Sequence, residues 1–163
     1  MADYQDIVCL EGTANRMVVV DISPGVDLLT GVLDACRKHN IKTGIICYCI
    51  GSLKYATIET LVAAEGSKTG ASFGQELSFP GPIQLLSGQG IVGLDENDEL
   101  FAHMHIVFVD GGQGKIYGGH VIEGKNPAIN RLEFGIITTE DLIVSTELDE
   151  RTGLLHLVPK KGM

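Results

Sequence analysis

The sequence is short of positive charge. It has 12 Lys and Arg against 21 Asp and Glu, a net charge of −9. Nucleic-acid binding draws on clustered cations that release counterions from phosphate. The nearest approaches to a cluster are Arg37-Lys38 and Lys160-Lys161, too little for a basic stripe. Direct binding of nucleic acid is therefore not expected. Long hydrophobic runs are also missing: none approaches the roughly 18 residues of a membrane span, so no membrane partner is expected. The opening stretch MADYQDIVCL has no basic region and no extended apolar core, so no secretory leader is read there. The cysteines, Cys9, Cys36, Cys47 and Cys49, form neither a CxxC pair nor a disulfide framework. Reduced thiols and a cytoplasmic location are expected.

What the chain has in quantity is apolar sequence. Hydrophobic residues make up 44% of 163 positions and mean hydropathy is +0.19. That is high for an acidic chain, and it implies apolar surface buried against other subunits. Residues 17–22 (MVVVDI) read as a buried strand. A helix is expected after SPG, with Ser23 as cap, Pro24 in the first helical position and Asp27 in the first turn. Leu28, Leu29, Val32, Leu33 and Cys36 form its apolar stripe, and Arg37, Lys38 and His39 suit its C-terminal end. Residues 43–61 are β-branched and interrupted by Gly51, as two strands or one bent strand. EGSKTGASFGQ (65–75) reads as a mobile loop. From residue 82 onward, strands alternate with turns at DEND (95–98), DGGQG (110–114), GKNP (124–127) and DERTG (149–153). The class expected is α+β: one main helix packed on a mostly antiparallel mixed sheet, in a single domain spanning 1–163 with its core at roughly 17–145.

Three histidines concentrate in AHMHIVFVDGGQGKIYGGHV (102–121). His103 and His105 are two apart and share a strand face. With Gly111 to Gly114 as the turn, Asp110 pairs with Lys115, Val107 with Gly118 and His105 with His120. All three imidazoles then lie together, whereas a slip of one residue would send His120 to the opposite face. Neutral imidazoles that converge offer lone pairs to a divalent ion of the zinc class at about 2.0–2.1 Å. Gly118 and Gly119 are expected to leave room above such a site. The alternative is three half-buried histidines bonded to backbone and water. Imidazole suits zinc, iron, nickel and manganese alike, and zinc is the ion expected.

The segments DISPGVDLLTGVLDACRKHNIKTGIICYCIGSLKYATI, GPIQLLSGQGIV and HMHIVFVDGGQGKIYGGHVIEG, in that order, resemble the PPC (plants-and-prokaryotes-conserved) domain. The resemblance implies one main helix against a largely antiparallel sheet, assembly as a homotrimer, and a metal held by His103, His105 and His120. Members often carry a provisional DNA-binding label, which in plants belongs to a separate AT-hook with an Arg-Gly-Arg-Pro core. This chain has no such motif. The HxH…H arrangement is also similar to that of acetolactate decarboxylase, a zinc enzyme.

Around this centre the candidate catalytic residues are Glu133, Arg131 and Glu65. Arg131 and Glu133 share a strand face, so Glu133 would handle protons and Arg131 would hold a small anionic ligand; PPC-like sequences often carry an acid where Glu133 falls. An exposed ion-pairing role is the competing account of both. Glu65 would reach the site only if its loop folds over it. Cys47 and Cys49 share a face as possible soft ligands, though buried cysteines usually only pack. The glycine-rich GGQG and GQG lack the Lys-Ser/Thr of a phosphate cradle, so no nucleotide cofactor is expected. Two functions follow. One is a trimeric metal-binding module with a regulatory or ligand-binding role, acting through a small anionic ligand or a protein partner. The other is a metal-dependent enzyme, decarboxylase- or hydrolase-like, acting on a small anionic substrate.

Overall fold

A computed structural model describes residues 8–162. Most of the opening stretch read above for a leader (1–7) lies outside the described residues. Strand β1 (Ala14–Ile22) leads through a turn into helix α1 (Leu28–His39). The helix starts later than the sequence suggests. Gly25, at φ +87°, turns the chain before it can coil, so Ser23 and Pro24 belong to that turn. Asp27 is the N-cap: its backbone is extended and its Oδ1 accepts the Thr30 N–H at 3.1 Å. The expected stripe is buried, and Arg37, Lys38 and His39 occupy the last turn before Asn40, which closes the helix at φ 52°.

The remaining elements are strands: β2 (Gly44–Glu59), β3 (Leu61–Ala63), β4 (Ala71–Phe73), β5 (Leu77–Leu94), β6 (Leu100–Asp110), β7 (Ile116–Val121), β8 (Ala128–Thr139), β9 (Leu142–Asp149) and β10 (Leu154–Lys161). Seven of them join β1 in one eight-stranded sheet, in the order β1-β8-β2-β7-β6-β5-β9-β10, with β2 also paired to β5. β2 is a single strand bent at Gly51, where φ is +135° and a Cβ would come within 2.3 Å of the Arg131 carbonyl oxygen. The stretch 65–75 is only partly a loop. Its end forms β4, which pairs with β3 as a separate two-stranded sheet. β9 was not anticipated; it runs antiparallel to β10 and meets β5 in a parallel pairing at Leu94 and Ser145.

The α+β expectation is therefore corrected. The chain is predominantly strand, with one 12-residue helix beside a large mixed sheet. The physical reason is the double pairing of β2. One edge joins β8 and the end of β7, the other joins β5, and β5-β6-β7 complete a ring. A sheet that curls back on itself covers much of its own apolar face. Ile46, Leu53, Ile83, Met104, Phe108, Leu132 and Phe134 are all fully buried there. The helix adds its stripe to this core rather than forming a layer opposite it.

One buried polar residue locks the region behind the histidines. Asn126 Oδ1 accepts the Thr57 N–H at 2.9 Å, and its Nδ2 donates to the Thr57 and Ile122 carbonyls at 3.0 and 2.8 Å. Its own N–H donates to Asp27 Oδ2 at 2.8 Å. The helix cap, β2 and the β7–β8 loop are thereby tied at one point.

Candidate metal centre

Along β6, Met104, Ile106 and Phe108 face the core, so Phe101, His103, His105 and Val107 face outward. The turn that follows sets the register. The Asp110 N–H donates to the Lys115 carbonyl at 2.9 Å, and the Gly114 N–H donates to the Asp110 carbonyl at 2.7 Å. Asp110 Oδ1 also accepts the Gly112 N–H at 2.7 Å. Gly114, at φ +66°, takes the left-handed position the turn requires. Val109 then pairs with Ile116, Val107 with Gly118 and His105 with His120, the register the sequence predicts.

The three imidazoles converge. Their ring centroids are 4.7 to 5.5 Å apart. His103 Nε2 lies 3.0 Å from His105 Nε2, and one ligand nitrogen from each residue falls within 4.8 Å of the others. Nitrogens sharing a tetrahedral zinc are about 3.3 Å apart, given bonds near 2.05 Å. Small ring rotations span that difference. His120 Nδ1 is buried without a hydrogen-bond partner among the described residues, a costly state for a lone polar atom and one that suits a ligand. Burial pushes the His103 imidazole down to about 4, with His120 and His105 adding to the effect. His120 is lowered as well, by burial and then by His105, against an opposing pull from Glu59. A low pKa keeps both rings neutral, the form in which imidazole binds metal.

The structure adds a carboxylate that the sequence reading passed over. Glu59, the last residue of β2, pairs in register with His120. Gln89 on β5 pairs with His105, so Glu59, His120, His105 and Gln89 form a continuous row across four strands. No local pattern marks Glu59; only the β2–β7 pairing brings it there. The two glycines expected to leave room do something else. A Cβ at Gly118 would meet the Ile106 carbonyl oxygen at 2.9 Å, and one at Gly119 would meet the Glu59 carbonyl oxygen at 2.5 Å. They let β7 lie close between its neighbours.

Two hairpins flank the centre. Phe73 of β4 rests against His120, with ring centroids 5.6 Å apart. On the other side, β10 walls a cavity of about 460 Å³ that opens beside His103. Lys68 Nζ, in the β3–β4 connection, donates to the Glu150 carbonyl at 2.6 Å and joins the two hairpin tips.

The other candidates sit elsewhere. Glu133 is in register with Asp21 on β1 and with Ile50 on β2. Nine residues of β2, about 30 Å of strand, separate Ile50 from Glu59. Arg131 is exposed and ion-paired with Asp21. Glu65 is exposed in the β3–β4 connection. Burial pushes the Cys49 thiol up to about 12, and Cys47 donates to the Gly135 carbonyl at 3.4 Å; neither joins the histidines.

Fold and site together define a strand-rich domain with a three-histidine centre on its outer face. The chain belongs to the Plants and Prokaryotes Conserved (PCC) domain family, whose model matches residues 9–140. None of the curated proteins compared with the chain matches it. Solved structures share the fold. A metal-containing protein of Archaeoglobus fulgidus is 20% identical at a TM-score of 0.77, over 93% of this chain and 99% of that one. A plant- and prokaryote-conserved protein of Pyrococcus horikoshii is 23% identical at 0.74, over 91% and 96%. A Bacteroides thetaiotaomicron protein with a provisional DNA-binding label is 15% identical at 0.69, over 90% and 96%.

Proposed function

We infer that this protein is a metal-binding domain that works as a cytoplasmic homotrimer, holding one zinc-class ion through His103, His105 and His120. The observation that carries the reading is the convergence of three imidazole nitrogens within 4.8 Å, with burial lowering His103 and His120. Three neutral ligands leave an ion one open position, the arrangement of ligand-binding and catalytic sites rather than of closed structural ones. Support for assembly comes from the outer face of β1 and β2, where Met17, Val19, Ile45 and Ile50 are each about half exposed or more. A regulatory or ligand-sensing role needs nothing further. The provisional DNA-binding label of some relatives fits this chain poorly, because its net charge is −9.

A second reading, a metal-dependent enzyme, is favoured by Glu59. A bound ion supplies Lewis acidity and a water of lowered pKa. In this chain Glu59 would accept a proton beside His120, and Phe73 would shield that side from solvent. The anionic substrate expected from Arg131 loses its basis, since Arg131 is paired to Asp21.

Elemental analysis of purified protein tests the first reading. About one equivalent of divalent metal per chain is expected, falling to background in a triple His103/His105/His120→Ala variant. Equal metal in the two proteins would refute the assignment. Sedimentation equilibrium tests the assembly, and a monomer at micromolar concentration would rule the trimer out.

A further inference from the structure

The cavity that opens at His103 extends well beyond the histidine centre, and its remaining walls have a definite chemistry. It follows the outer face of β6 away from the centre. Phe101 lies two residues before His103 on the same face, about 6.6 Å further along the strand. Beyond Phe101 comes the turn between β5 and β6, which supplies Asp95 and Glu96, while Leu155 and Leu157 of β10 close the side. The volume, about 460 Å³, falls within the range of small-molecule sites. Phe101 and Leu155 are 37% and 57% exposed, so the apolar walls are open to a ligand.

Charge along this cavity is one-sided. Among the described residues no Lys or Arg lines it; both carboxylates stand at the turn end, and the other titratable groups in the wall are the imidazoles of His103 and His156. Asp95 is fixed in place: its Oδ1 accepts the Asn97 N–H at 2.8 Å and the Glu99 N–H at 2.9 Å. These bonds hold its carboxyl below the ordinary range, the Glu99 amide contributing most. Thr146, also in the wall, has a shielded Oγ1 with no hydrogen-bond partner among the described residues.

We propose that this cavity binds a small primary amine with an apolar stem, its ammonium at Asp95 and Glu96 and its stem against Phe101, Leu155 and Leu157. The stem points toward His103, so the cationic end is kept away from the histidine centre. Recognition comes from the cavity's own walls and does not require an ion on the histidines. An anionic ligand of the same length would meet two carboxylates and no cation.

Isothermal titration of the full-length protein with n-hexylamine, n-hexanoate and n-hexanol at pH 8 tests this. Hexylamine is expected to bind at least tenfold more tightly than either of the others. Glu96→Gln and Leu155→Ser should each weaken hexylamine at least threefold without lowering Tm, since both side chains are exposed. The titration is repeated after stripping metal with a chelator, and hexylamine affinity is expected to persist. Hexanoate binding as well as hexylamine, no hexylamine binding at millimolar concentration, or unchanged affinity in both variants would each overturn the assignment. Loss of binding on chelation would do so too, because it would put the amine on an ion instead of at the turn. A protein that carries no metal yet binds hexylamine would refute the metal reading and leave this one standing.

Discussion

Acid should destabilise the metal-free protein through His103, by an amount the structure sets. The His103 imidazole is lowered from 6.5 to about 4 by burial and by its two neighbours. In the unfolded chain the ring regains its ordinary value. Above pH 6.5 it is neutral in both states and contributes no pH dependence. As pH falls below 6.5 the unfolded chain takes up a proton that the folded ring refuses, so stability declines until the folded ring titrates near pH 4. A shift of this size is worth about 3 kcal/mol for a fully shielded ring. His103 is only partly buried, so solvent screening reduces this to about 1–2 kcal/mol. In a chain of this length each kcal/mol moves Tm by about 2–4 °C. Wild type should therefore lose about 2–8 °C more than His103→Asn between pH 7 and pH 4.5. The assay is thermal melting of both proteins with chelator present, at equal concentration so that any association cancels. Taking the difference also removes the carboxylates common to both. Parallel profiles across that range would refute the claim that burial holds the His103 ring neutral.

Glu59→Gln should weaken zinc affinity by roughly tenfold, the usual cost of losing a charged neighbour of a ligand, whereas Glu133→Gln should leave it unchanged; competition with a chromophoric chelator reads both. Gly90→Ala should cost about 1–3 kcal/mol in chemical denaturation, because its Cβ would come within 2.2 Å of the His103 carbonyl oxygen. Gly88→Ala should also destabilise: the flexible end of Met104 at 2.6 Å can move aside, but the Cys49 Cβ at 2.9 Å is fixed to its backbone. Asn126→Ala should cost about 1–3 kcal/mol, as it strands the buried Thr57 N–H, while the Thr57 and Ile122 carbonyls keep the N–H groups of Ile122 and Lys125; a loss below 1 kcal/mol would contradict its role as a tie.

The histidine register was legible because it depends on local chemistry. Asp110, the glycines and the two-residue period are all contained within twenty positions, and a hairpin turn propagates its register to every pair above it. The helix stripe was legible for the same reason. Its start was not, because Ser23 and Asp27 are equally good caps and only the turn at Gly25 decides between them. Glu59, the ring closed by β2, and the cavity under β10 depend on partners tens of residues away in sequence. Glu133 looked a better proton acceptor than Glu59 only because its spacing from Arg131 was visible in the chain. The class was misjudged by giving the helix the weight of a layer, when a curled sheet supplies most of its own cover.

The sheet order leaves β1 and β10 as its outermost strands, and the two rims are unlike. The rim at β10 carries Pro159, which has no amide hydrogen to offer, followed by Lys160 and Lys161; such residues discourage a stray chain from adding itself to a sheet. β1 has neither proline nor lysine between Ala14 and Ile22. Its border relies instead on the charges of Arg16 and Asp21 and on an irregularity between Ala14 and Met17, so replacing Pro159 with a β-branched residue would weaken the defence against fibril growth at the β10 border alone.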